Sequence, residues 1–333
     1  FRLPALLGMF GGLLIASSVA AFVAANWEEM PRLMKLGLIL VSIIAALALA
    51  ARLEAKGSDL GSDAAATCGV LIFAAGVALV GQMYHLPTDW PGGALLIALG
   101  ALAAAFLLRS DGALILAFVA LTSWSVGRWL EQKGAPHLPF FLLYLPAFWL
   151  ALGRRGRFVH HVAVLVLAAW LGLVPGDWIN GRFDYGIAVS AVFVAVGALA
   201  LDRGLPVLLT AFLPWGLLGL LVGVNIELIR ILDDRESRAG SAMVSTYLGY
   251  AAAVPWTAVL ALLARERRFA WPLAGALLLA LAIPVVFWSG GVVKLPGKVT
   301  VASLVLLIAI GLVAAGAAGG NRRLTLAGSG QFG

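Results

Sequence analysis

Apolar residues in this chain come in long, nearly unbroken runs, separated by short clusters of charged and turn-forming residues. A helix crossing about 30 Å of hydrocarbon needs about 20 predominantly apolar residues. By that measure the runs predict about twelve helical spans, near 3–25, 34–52, 64–85, 92–108, 112–130, 138–153, 158–174, 184–201, 205–226, 241–264, 269–288 and 298–318. The runs lack strict alternation and are about twice as long as barrel strands, which disfavours a transmembrane β-barrel. The fold class that follows is all-α: a polytopic transmembrane helical bundle. It forms a single membrane domain over 1–333, with an N-terminal segment over 1–110, further spans over 111–320 and a polar tail at 321–333.

The punctuation sets the orientation. With the N-terminus in the cytoplasm, the N-terminal end, even-numbered loops and C-terminal tail hold thirteen basic and six acidic residues. Among them are the clusters Arg154, Arg155, Arg157 and Arg265, Arg267, Arg268. The opposite loops hold ten of each. Basic loops stay inside, so the expected topology is N-in, C-in. Composition agrees with lipid as the main solvent: 62% of residues are hydrophobic and 12% are charged, against roughly 25% charged in soluble domains. The formal charge of +7 is scattered between spans rather than gathered in one patch, so nucleic acid is not an expected partner. A lone Cys68 excludes an internal disulfide. The first run is too long for a signal-peptide core, and Phe1 in place of Met predicts a start further upstream.

Helix association in lipid uses small residues that let backbones approach. Gly8, Gly12, Ala16 and Ala20 in the first span, and Gly311, Ala315 and Gly319 in the last, are the expected contact stripes. Trp27, Trp90, Trp129, Trp178, Trp271 and Trp288 sit at span ends, where amphipathic rings form an interfacial belt.

Chemistry concentrates at the outer ends of the spans. Asn26, Trp27, Glu28 and Glu29 follow the first span, Gln82, Tyr84, His85 and Asp89 follow the third, and Ser123, Ser125 and Arg128 lie in the fifth. Polar groups at membrane depth are costly unless they face water or each other, so their gathering on one side predicts a polar cavity open to the outside. Its candidate lining is Asn26, Glu28, Gln82, Tyr84, His85, Asp89 and Arg128. No catalytic residue, cofactor or metal site is expected. His160 and His161 are adjacent and diverge on a helix; His85 and Asp89 could reach one ion with Glu28 or Glu29, but no Cys or further His supports this; and no hydrolase, P-loop or dinucleotide motif occurs. Pro87-Thr88-Asp89-Trp90 and Pro175-Gly176-Asp177-Trp178 echo each other four spans apart, although a Pro-x-Asp-Trp turn also forms by local capping alone. Pro214, Pro255 and Pro284 lie within spans as candidate breaks.

Two phrases carry a family resemblance: Ala24-Ala25-Asn26-Trp27-Glu28-Glu29-Met30-Pro31-Arg32-Leu33-Met34-Lys35-Leu36 and Gly81-Gln82-Met83-Tyr84-His85-Leu86. Over about residues 1–110 the chain resembles the predicted bacterial inner-membrane proteins of domain-of-unknown-function family 2157. The resemblance implies a multi-pass protein of the bacterial inner membrane and supplies no activity. It marks Asn26, Trp27, Pro31, Lys35, Gln82, Tyr84 and His85 as positions of interest. The two phrases would meet at the outer interface if their helices are neighbours. Asn26 would then bond Gln82, and His85 would pair with Glu28 or Glu29.

The leading expectation is a transporter-like or lipid-handling protein using this outer cavity. Its partners would be membrane lipids and a small-molecule or lipid substrate. The alternative is a non-catalytic membrane subunit or scaffold that binds protein partners. A third reading is an intramembrane enzyme acting on a lipid-linked substrate.

Overall fold

The computed structural model describes residues 30–85, 89–132, 136–154, 156–173, 184–205, 207–232, 244–289 and 295–318, with Gly320 and Thr325. Each expected run is helical over most of its described residues, the ninth with a break. The helices are α1 (Arg32–Ala55), α2 (Asp59–Met83), α3 (Trp90–Leu107), α4 (Asp111–Glu131), α5 (Phe140–Leu152), α6 (Arg157–Leu173), α7 (Asp184–Arg203), α8 (Phe212–Leu232), α9 (Val244–Leu263), α10 (Arg267–Ser289) and α11 (Leu295–Ala318). Five are long and apolar enough to cross a membrane: α1, α2, α3, α4, and α7 over Tyr185–Arg203. The first expected span and its stripe of small residues lie outside the described residues. Two compact units divide the chain at Ala113 and Leu114.

In the first unit, α1 and α2 form an antiparallel hairpin closed by Gly57 at φ +74°, where a side chain would be strained. Their seam alternates small against large. Methyl groups of Ile39 and Leu47 lie where a Cβ on Gly76 and Gly69 would meet them, at 2.7 and 2.9 Å. These glycines let the backbones approach, as packing without a hydrophobic driving force requires. At the Gly57 end, Asp63 of α2 ties in the start of α4. Its Oδ1 accepts from Ser110 Oγ at 2.6 Å and from the Gly112 N–H at 2.9 Å. Ser110 Oγ in turn accepts from the Ala113 N–H at 3.0 Å. Ser110 thus caps α4, and the carboxylate holds the cap.

The second unit is organised around α7 and α8. Gly197 of α7 lies directly on the backbone of Leu213, and a Cβ on Gly216 of α8 would stand 2.6 Å from the Val194 nitrogen. Gly219 against Ser190 and Gly223 against Ile187 continue the antiparallel register. The core built on this pair joins Ile187, Val194, Leu213 and Leu220 to Leu260 of α9, Leu273 and Leu277 of α10, and Ile308 and Leu312 of α11. Gly311 packs on Ala276, with its absent Cβ 2.9 Å from that methyl, so this expected stripe does face a neighbouring helix.

The ninth expected span is split. A single turn, Val207–Thr210, precedes α8, with Ala211 between them. Pro214 explains the position, because its ring collides with the carbonyl four residues back, that of Thr210. Pro255, by contrast, lies within continuous α9. At the far end of α7, Asp202 accepts from the N–H groups of Arg265 and Glu266 at 2.6 and 3.1 Å. The Arg203 guanidinium donates through Nε to the Leu263 carbonyl at 2.8 Å.

Gly197→Ala is expected to destabilise the protein by about 1–3 kcal/mol, because the added methyl meets backbone that cannot rotate away. Gly275→Ala meets nothing within 4 Å and is expected to be neutral or stabilising by up to about 1 kcal/mol. Thermal unfolding of both variants in one detergent measures the contrast.

Candidate functional site

The end of the α1–α2 hairpin opposite Gly57 gathers polar side chains. Tyr84 follows α2 and donates its backbone N–H to the Val80 carbonyl at 3.1 Å. His85 then turns left-handed, with φ +51°. This is the position after a helix end where glycine is the usual residue. Placing a side chain there costs roughly 1–2 kcal/mol, so an imidazole is held where the fold alone would favour its absence. Arg109, after α3, adopts the same conformation at φ +49°, so a left-handed residue is not by itself special to this end.

From the other helix, Arg32 places its guanidinium 5.7 Å from the centre of the Tyr84 ring, within cation–π range. Lys35, one turn further along α1, is buried at 9% exposure. A lysine buried to this degree lays its methylene stem along apolar surface. Two cations, a phenol and an imidazole therefore occupy one end of the hairpin. Gln82, Tyr84, His85 and Asp89 are exposed, and none lies in the packed interior. Asp89 caps α3, accepting from the Gly92 N–H at 2.9 Å, which is the local role open to a Pro-x-Asp-Trp turn. Asn26 and Glu28, with their expected bonds to Gln82 and His85, lie outside the described residues, as does the second copy of that turn.

A second polar cluster sits at the C-terminal end of α4, in the other unit. Arg128 pairs with Glu131 at 2.7 Å. Thr122 and Ser123 bond the carbonyls four residues back, at 2.8 and 3.0 Å, as hydroxyls in membrane helices commonly do. Ser125 makes no such bond. Its Oγ is buried without a partner, as are Trp129 Nε1, one turn along the same face, and Nδ1 of His137. The His137 ring stands edge-on to Trp124 at 4.5 Å, and its backbone carbonyl accepts from Trp170 Nε1 at 3.3 Å. Burial, and secondarily the nearby Arg128 cation, hold this imidazole below its ordinary pKa, so it is kept neutral. Among the described residues, no three His, Cys, Asp or Glu side chains converge as a metal site would require.

Residues 1–114 match the family model DUF2157, described as a predicted membrane protein. No curated protein and no solved structure matches the chain. The DUF2157 segment contains α1, α2 and α3 whole and ends within the first turn of α4. It therefore includes the Arg32–Tyr84 contact and the Asp63 cap, while Arg128 and His137 fall beyond it.

Sequence reasoning named Arg128 and Ser125 but missed His137 and Arg32. His137 stands between Pro136 and Pro139, a setting that reads as loop. Only the fold of α4 against the following turn shows it to be buried. The signal available was its position just after a span that already carried Ser125, Arg128 and Trp129.

A neutral buried histidine binds a proton more weakly in the folded protein than in the unfolded chain. Stability should therefore fall as pH drops below about 6.5, the unperturbed value. His137→Gln should reduce that fall, measured as the difference in melting temperature between pH 8 and pH 5.

Proposed function

We propose that this chain is a multi-pass protein of the bacterial inner membrane, with about twelve spans and both ends cytoplasmic. At the outward end of the α1–α2 hairpin it binds a small polar or amphipathic molecule, as a lipid-handling protein or transporter does. The reading is carried by the contact between Arg32 and Tyr84, which joins the two sequence phrases singled out by their chemistry. Those phrases lie about fifty residues apart in sequence, and a shared site requires that they meet. His85 in its strained conformation and the buried Lys35 add a hydrogen-bonding group and a cation at the same end. The helix broken at Pro214 suits a transporter, in which interrupted helices commonly accompany substrate sites. The candidate lining remains Asn26, Glu28, Gln82, Tyr84, His85 and Asp89, extended by Arg32 and Lys35. Arg128 belongs to the separate cluster on α4.

Two experiments test this. In a Cys68→Ala background, Asp89→Cys should react with a membrane-impermeant maleimide added to intact cells. Protection until the cells are opened would reverse the orientation. Tyr84→Ala and His85→Ala should leave protein abundance unchanged while lowering the amount of small molecule that co-purifies, as read by mass spectrometry. Loss of abundance instead would make this end a structural clasp between helices.

A further inference from the structure

The turn between α9 and α10 has its backbone hydrogen bonding completed from α7. Asp202 accepts the N–H groups of Arg265 and Glu266, and the Arg203 guanidinium donates to the Leu263 carbonyl. The Glu266 carbonyl accepts from Phe269 and Ala270, each at 3.0 Å, as α10 begins. The turn is therefore latched without any help from the side chains of Arg265, Arg267 and Arg268. All three are exposed and pair with no carboxylate among the described residues. Arg267 and Arg268 are also unfavourably placed for the helix itself, because cations in the first turn oppose its dipole. The local count is four arginines against Asp202 and Glu266, and the Asp202 carboxylate is already engaged by two N–H donors. Alongside lie exposed apolar side chains: Leu262 at 76%, Leu263 at 50% and Trp271 at 61% exposure. Trp271 stands one turn from Arg267 and Arg268.

We propose that this latched turn is a binding site for the headgroup phosphate of anionic phospholipid. Arg265, Arg267 and Arg268 grip the phosphate, while Trp271 and Leu262 lie against the adjoining acyl region. A guanidinium matches phosphate through paired N–H donors, and an indole beside it is at home at the headgroup level. The latched turn matters because it fixes the backbone from which the three arginines reach, so only their side chains remain to be ordered on binding. The site belongs to the second unit alone and holds for either orientation of the chain.

The test uses the full chain in nanodiscs of phosphatidylcholine doped with phosphatidylglycerol, followed by native mass spectrometry of the lipid retained after release. Wild-type protein should retain phosphatidylglycerol over phosphatidylcholine. The triple variant R265Q/R267Q/R268Q should lose that preference by about a hundredfold, each arginine contributing about fivefold at an anionic surface. R265K/R267K/R268K, which keeps charge but not the paired donors, should fall between the two and covers the case in which the Gln variant fails to fold. Equal retention by wild type and the Gln variant overturns the site, as does a wild type with no preference between the lipids. An equal loss from a control triple, Arg52, Lys56 and Arg109 each to Gln, also overturns it, since attraction would then follow net charge alone.

Discussion

The first N–H groups of a helix have no partner within it, and at several helix starts of this structure an aspartate supplies one. Asp63 receives Ser110 Oγ and the Gly112 N–H, and Asp202 receives two successive N–H groups from the α9–α10 turn. Each carboxylate reaches across 47 to 64 residues of sequence to close the start of another helix. A single acidic side chain thus does two things at once, satisfying donors that would be costly to leave bare and fixing which helix ends meet. The junctions also agree with an alternating path. The starts of α2 and α4 share one end of the first unit, and the C-terminal ends of α7 and α9 share one end of the second.

Between the ends, packing rests on the near absence of side chain. Gly197 and Gly216 bring α7 and α8 into backbone contact, and Gly69 and Gly76 admit Leu47 and Ile39 of α1. Much of the buried core consists of alanine, including Ala98, Ala101, Ala191 and Ala195. In lipid the gain comes from close van der Waals contact and not from removing apolar surface from water, so small residues are the ones that stabilise. Large apolar side chains such as Leu40, Val41 and Ile44 of α1 are correspondingly left exposed, where acyl chains are an equivalent solvent.

Polar side chains in the two units fall into different energetic classes. Thr122 and Ser123 donate to carbonyls of their own helix, and Asn225 donates one amide N–H in the same way. His160 places Nε2 3.1 Å from both the Ala151 and Arg154 carbonyls at the α5–α6 turn, while its buried Nδ1 has no partner. Ser125, Trp129 and His137 keep buried atoms without partners, and His85 occupies a conformation that costs energy. Groups of this second kind are the ones that packing and capping leave unexplained.

The sequence by itself determined the all-helical class, the approximate place of the described helices, with α8 beginning at Phe212 and not at 205, and a family resemblance over about residues 1–110, where the family model matches 1–114. Hydrophobic run length and the chemistry of Asp, Pro and Gly act locally, so they are legible along the chain. Even the break before α8 was written in Pro214. The small-residue stripe at Gly311 read correctly, whereas the tighter α7–α8 crossing did not stand out among 39 glycines. Only tertiary structure decided that Arg32 meets Tyr84, that His137 is buried against Trp124, and that Trp129 turns its indole nitrogen inward while Trp90 and Trp271 stay exposed. Those outcomes depend on which helices become neighbours. That is set by the summed fit of many small contacts, and no single stretch of sequence contains it.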